Sequence, residues 1–260
     1  MKRTSWLVLV APVALGVILL LGWYLSTTPG AIPNYLVPTP MAVVRELYNG
    51  LIVYADLWPF FGITLGEALA GSLVGLSVAL PLAVMIYRSR VVSAAVRPFL
   101  GATQAIPAIA IAPVLAAWVG FGMSGKVALC ALMVFFPILV SSVVGLRHID
   151  RDILAAAQVD GAGSLALLIE VEIPLALHNI LAGVRNGFTL SITGAVVGEL
   201  VMGGSGLGSL LTVQRESLNM AGMFATIIVL CVLATTLYSL IAFIERRWSA
   251  IIAPLPEGEK

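Results

Sequence analysis

The sequence predicts an all-α integral membrane protein of about six transmembrane helices, forming one domain over residues 1–260. Three observations carry that prediction. Of the 260 residues, 60% are hydrophobic and only 10% are charged, whereas soluble domains run closer to half apolar and a quarter charged. Six segments approach the ~20 mostly apolar residues that a spanning helix needs. The positive charges also sort to one side of the membrane once those six segments are drawn across it. A chain this apolar needs lipid as part of its solvent.

The first apolar run, Trp6 to Leu25, follows Met1-Lys2-Arg3 and has the outline of a signal peptide. It exceeds the ~7–15 apolar residues of such a signal, and no small-x-small cleavage site follows it. It therefore reads as a retained span near 6–26. Residues 27–59 form a long connection in which Pro29, Pro33, Pro38 and Pro40 break any helix. Further spans are expected near 60–86, 97–119, 125–146, 177–201 and 221–244. The remaining long connections are 147–174 and 202–220, and a short charged tail at 254–260 is expected to be disordered. Glycines recur four apart at Gly62 and Gly66, Gly71 and Gly75, Gly183 and Gly187, and Gly194 and Gly198. Such pairs let helix backbones approach closely in lipid. Pro81, Pro107, Pro113 and Pro137 fall in or near spans, where they kink helices.

Lys2, Arg3, Arg88, Arg90, Arg97, Arg147, Arg151, Arg246, Arg247 and Lys260 fall on one side of the six-span arrangement. Arg45, Lys126 and Arg215 fall on the other, and Arg185 lies within a span. The positive-inside rule then places both termini and the 147–174 loop in the cytoplasm. A net charge of +1 supplies no field that would favour nucleic acid as a partner. Cys130 and Cys231 sit in apolar runs with no metal-ligand spacing and read as packing residues.

The 147–174 loop differs from its surroundings. Asp150 or Asp152 can cap a helix whose alanine-rich start has high helical propensity. Gly161 and Gly163 then stop or bend it. The stretch Ser164 to Ile173 is too short to span, and Pro174 is expected to end it. Two short helices joined at a glycine elbow should therefore lie on the cytoplasmic face. The run Ala155-Ala156-Ala157, three residues, Gly161, nine residues, Val171-Glu172-Ile173-Pro174 resembles the signature of the binding-protein-dependent ABC permeases. That signature is Glu-Ala-Ala, three residues, Gly, nine residues, Ile-x-Leu-Pro. Ala155 replaces the leading glutamate, and Val171 and Ile173 replace Ile and Leu.

The resemblance implies a type I ABC importer permease fold in a bacterial inner membrane. It also implies a coupling helix carrying Ala155, Ala156, Ala157, Asp160 and Gly161, with Ile173 and Pro174 closing the motif. Implied partners are a separate ABC ATPase holding ATP and Mg²⁺, a second copy of the permease as a homodimer, and an extracytoplasmic substrate-binding protein. The chain itself is expected to bind no cofactor and to be no enzyme. Leu36-Val37-Pro38-Thr39-Pro40, Trp118-Val119-Gly120-Phe121-Gly122, Gly198-Glu199 and Gly204-Ser205-Gly206-Leu207-Gly208 are similar to the nitrate, sulfonate and taurine branch. Thr64-Leu65-Gly66-Glu67-Ala68 and Thr103-Gln104-Ala105-Ile106-Pro107 lean towards permeases for thiamine-precursor pyrimidines or riboflavin.

Two motifs mimic nucleotide sites. Gly120 to Val127 misses a phosphate-binding loop because Val127 replaces the Ser or Thr that would ligate Mg²⁺, and it lies on the outer side. The glycines of 204–208 miss a dinucleotide fingerprint and instead shape a re-entrant or turn segment. Ionisable residues within spans mark functional candidates, because charge in hydrocarbon is costly. Glu199 fits two roles equally: lining or gating the outer pathway, or anchoring the glycine loop by accepting its N–H groups. Glu67 is a second pathway candidate, although it and Arg185 fit structural pairing better. His148 and His178 show no ligand spacing. A secondary transporter driven by an ion gradient is the rival reading, but it usually shows internal repeats and intramembrane polar clusters, and neither stands out. A membrane-embedded enzyme would need clustered catalytic residues, which the sequence lacks.

Overall fold

The computed structural model describes residues 5–27, 36–102 and 107–252. Lys2, Arg3, Pro29, Pro33, residues 103–106 and the 254–260 tail lie outside them. In chain order the helices are α1 (Ser5–Ser26), α2 (Pro40–Tyr48), α3 (Leu57–Arg88), α4 (Arg90–Ala102), α5 (Ala108–Val119), α6 (Met123–Arg147), α7 (Arg151–Val159), α8 (Ser164–Ala166), α9 (Ile173–Met202), α10 (Leu207–Glu216) and α11 (Met220–Ile252). Among the described residues, four helices are long and apolar enough to cross a membrane: Leu57–Arg88, Met123–Arg147, Ser164–Met202 and Met220–Arg247. The apolar stretches Val10–Ser26 and Ala108–Val119 are shorter.

α6 is the hub, packed along both α3 and α9, with α5 beside α6 and α9, and α11 against α9. The glycine pairs explain why these contacts are close. A Cβ on Gly75 would lie 2.7 Å from the Ala131 carbonyl oxygen, and one on Gly187 would lie 3.0 Å from that of Val134. Only hydrogen fits where α3 and α9 meet α6. Gly62 and Gly66 face open space instead, so the four-residue spacing marks helix contacts at three of its four occurrences. One apolar cluster, with Ala79, Ile86, Val134 and Leu139, fills the α3–α6 seam. A second, with Ala68, Ile192, Leu207 and Leu233, joins α3, α9, α10 and α11. α1 is held near its end by the Trp23 indole N–H, which donates to the Pro38 carbonyl at 2.9 Å, and by Trp23 against Phe224.

Four expectations change. The span expected at 97–119 is broken into α4 and α5, with Pro107 at the start of α5. Pro107 itself takes extended backbone (ψ 127°), and α5 alone reaches only about 18 Å at 1.5 Å per residue. Pro40 does not break a helix but opens α2: it takes the first turn, where a missing N–H costs nothing, and Thr39 caps it by accepting from Ala42 N–H at 3.2 Å. Pro174 likewise does not end the coupling segment. Ser164 to Met202 runs as one helix through a π turn at Leu167–Glu172, in which the Ile173 N–H reaches back to the Leu168 carbonyl. The wider turn just before the proline accommodates its ring and missing donor. The 202–220 connection, expected as loop, contains α10.

Candidate functional site

At one end of the bundle stands α7. Asp150, in extended backbone, caps it by accepting from the Asp152 N–H at 2.9 Å. None of its residues is buried. Ile153 and Val159 are 47% and 87% exposed, which is costly for apolar side chains unless a partner covers them. Ala155 and Ala156 are exposed beside them. The helix closes at Asp160, and Gly161 takes φ +89°, a left-handed conformation that glycine adopts without penalty. That turn sends the chain into α8 through Ala162, whose N–H donates to the Ala157 carbonyl at 3.0 Å. The elbow thus brings Ala155, Ala156, Ala157, Asp160 and Gly161 together on one protruding segment. Ile173 and Pro174 lie beyond the π turn, half-buried at the start of α9.

A buried junction ties this segment to α3. Glu172, 2% exposed, pairs with Arg88 at 2.7 Å and accepts from the Tyr87 hydroxyl at 3.1 Å. Arg88 also donates to the Ser164 carbonyl at 3.0 Å. One guanidinium at the end of α3 therefore holds both ends of the α8–π-turn segment. The sequence conceals this, because Glu172 occupies the variable position of the Ile-x-Leu-Pro element.

At the opposite end, Glu67, Lys126 and Glu199 converge. Lys126 pairs with Glu67 at 2.9 Å, and both are nearly inaccessible. The Lys126 ammonium also donates to the Ser205 carbonyl at 3.4 Å. Glu199, 1% exposed, accepts from the Thr64 hydroxyl at 2.6 Å and the Gly208 N–H at 2.5 Å. Thr64 in turn accepts from the Leu207 N–H at 2.8 Å. Gly206 has φ +138°, and a Cβ there would collide with the Glu199 carboxylate. Glu199 thus accepts the Gly208 N–H at the end of the glycine loop, and it also borders a cavity of about 310 Å³ with Phe60, Leu200 and Gly204. Lys126, read from sequence as an outer-side charge inside a failed phosphate loop, is a buried counter-ion.

A third cluster ties α9 to α11. Arg185 pairs with Glu245 at 2.6 Å, and His178 Nδ1 lies 3.3 Å from the other carboxylate oxygen. Glu67 and Arg185 are thus both in pairs, but with different partners. Glu245 escaped sequence reasoning because it stands beside Arg246 and Arg247, in what reads as a solvated end. Among the described residues, no group of His, Cys, Asp and Glu could hold a metal ion.

Comparison with known proteins agrees with this architecture. Residues 60–250 match the family model described as "binding-protein-dependent transport system inner membrane component". The riboflavin transport system permease protein RibX of Chloroflexus aurantiacus is 38% identical over 253 residues, covering 96% of this chain and 94% of that protein. The putative aliphatic sulfonates transport permease protein SsuC of Escherichia coli is 30% identical over 244 residues, covering 94% and 92%. An inward-facing structure of the MetNI methionine ABC transporter superposes with TM-score 0.61 at 18% identity, covering 84% of this chain and 99% of that one. With an exposed helix, α7, joined through the Gly161 turn to a spanning helix, and relatives that match it nearly end to end, the chain belongs to the binding-protein-dependent transport family of inner-membrane components and is a permease subunit of an ABC importer.

Proposed function

We propose that two copies of this chain form the translocation unit of an importer for a small organic solute, driven by a separate ATPase that docks on α7. The observation that carries the coupling part is the exposed apolar face of α7 at Ile153 and Val159, beside Ala155 and Ala156. Small side chains allow an ATPase groove to close on the helix. The Gly161 turn presents its end, and the unbroken helix Ser164–Met202 carries displacement into the membrane. ATP and Mg²⁺ are held by the ATPase, and this chain binds no cofactor. An extracytoplasmic binding protein delivers the solute to the end where Glu199 holds the glycine loop. Glu199 and Glu67 set how readily that end opens. Both termini face the cytoplasm.

The solute reading leans towards riboflavin or a thiamine-precursor pyrimidine over a sulfonate, taurine or nitrate. RibX, at 38% identity over nearly the whole chain, supports that lean together with Thr64–Ala68 and Thr103–Pro107.

The test is co-purification of the chain from detergent-solubilised membranes, comparing wild type with Gly161→Asp. The substitution puts a charged side chain at a φ of +89° without touching the spans. An ATPase that accompanies the wild type and is lost with the variant supports docking on α7. Absence of any ATPase with the wild type overturns the reading.

A further inference from the structure

α4 carries three separate stripes of side chains. Val92 and Val96, one turn apart, pack on the α3–α6 seam with Ala79, Ile86 and Val143. Val91, Ala95 and Pro98 form a second stripe at helical spacing; all three are exposed, Val91 at 78%. Arg90 and Ser93 begin a third stripe, and Arg97 continues it by position. One side of the helix is thus spent on the bundle, and the two flanks left over differ, one apolar and one basic. A helix divided in this way suits the plane of a membrane surface, with its apolar flank at the acyl boundary and its cations among the headgroups.

The depth of α4 agrees with that placement. Arg147, the last residue of α6, donates to the Ser93 hydroxyl at 2.6 Å and so adds a second cation to the basic flank. Lys126, near the other end of α6, is about 32 Å away at 1.5 Å per residue, close to the hydrocarbon thickness of a bilayer. Arg147 and the start of α4 therefore stand at headgroup level. The neighbouring Arg88 is neutralised by Glu172 at 2.7 Å. Arg90 and Arg147 are different: among the described residues neither pairs with a carboxylate, and α4 contains no Asp or Glu.

We propose that the basic flank of α4, with Arg90, Ser93 and Arg147, seats the headgroup of an anionic phospholipid, while Val91, Ala95 and Pro98 lie against its acyl chains. Charge complementarity selects this occupant. Guanidinium groups hold phosphate oxygens in a forked geometry, and the bilayer presents phosphates at this depth. A zwitterionic headgroup brings its own cation to the two arginines, so a net negative lipid is preferred. The lipid does for Arg90 and Arg147 what Glu172 does for Arg88.

The experiment uses the full chain in a neutral detergent, with native mass spectrometry counting bound lipid as phosphatidylglycerol or phosphatidylcholine of the same chain length is added. Wild type should retain phosphatidylglycerol in preference to phosphatidylcholine, and inorganic phosphate should not displace it. Arg90→Gln should weaken retention about fivefold, the worth of one arginine at a charged lipid surface. Because the Arg90 side chain makes no hydrogen bond or ion pair among the described residues, its loss leaves the fold intact. Arg90→Gln combined with Arg147→Gln should weaken retention further. Arg247→Gln, which removes an exposed arginine of α11, should bind lipid as wild type does. Equal retention of both lipids, wild-type retention by the double variant, or the same loss with Arg247→Gln overturns the site. Displacement by inorganic phosphate at similar concentration would show a soluble-anion site in place of a lipid one.

Discussion

Lys126 and Glu67 illustrate how a few residues carry the electrostatics of an apolar chain. Each is nearly inaccessible, and they lie 2.9 Å apart. Removing one partner of such a pair leaves an uncompensated buried charge, at a cost of about 3–5 kcal/mol. Lys126→Met should therefore lower the thermal unfolding midpoint of the solubilised protein clearly, while Glu67→Gln combined with Lys126→Met recovers most of the loss. A single variant that melts like wild type would show the pair to be dispensable. Glu199 behaves differently because its bonds go to loop backbone and Thr64. Glu199→Ala should impair solute uptake while leaving ATPase association intact. Full uptake by that variant would exclude a role in opening. Gly206→Ala should mimic the defect, since its Cβ meets the same carboxylate.

At the scale of elements, the junction between α3 and the coupling segment matters most. Arg88 bridges Glu172 at 2.7 Å and the Ser164 carbonyl at 3.0 Å, so α3 is tied to both ends of the α8–π-turn segment. Under the proposed docking on α7, a displacement of that helix would reach α3 as well as α9. Arg88→Ala should raise the ATP hydrolysed per solute imported severalfold in the reconstituted transporter, with hydrolysis itself retained. Arg88→Lys keeps the charge but not the forked geometry and should fall between. An unchanged ratio in Arg88→Ala would mean that α9 alone transmits the stroke. The π turn belongs to the same junction: its Ile173–Leu168 bond lets the helix continue past Pro174, so Ser164 to Met202 is one rod that follows α7 across the Gly161 turn.

For the molecule as a whole, the positive side chains do separate along the bundle. Arg88 bonds Ser164 and Arg147 bonds Ser93 at the end where α7 begins, while Lys126 meets the glycine loop at the other end. Along α6, Lys126 and Arg147 are about 32 Å apart at 1.5 Å per residue, close to the hydrocarbon thickness of a bilayer. Cysteine labelling tests which end is cytoplasmic. In a Cys231→Ala background, Leu218→Cys, exposed at the Lys126 end, should react with an impermeant maleimide in intact cells. Val159→Cys should react only after the membrane is broken. The reverse pattern would invert the assignment.

Much of this protein was legible in the chain itself. Span positions followed from runs of apolar residues, because hydrocarbon imposes its length on any helix that crosses it. The Gly161 elbow and the Asp150 cap followed from local backbone chemistry, which needs only neighbouring residues. Four of the six expected spans appear as long apolar helices, and the break at Pro107 was the main departure. What the sequence could not show is pairing across distance. Glu67 meets Lys126 from 59 residues away and Thr64 meets Glu199 from 135. Arg88 meets Glu172 from 84. No local pattern encodes such contacts, since they exist only once α3, α6 and α9 have closed on one another.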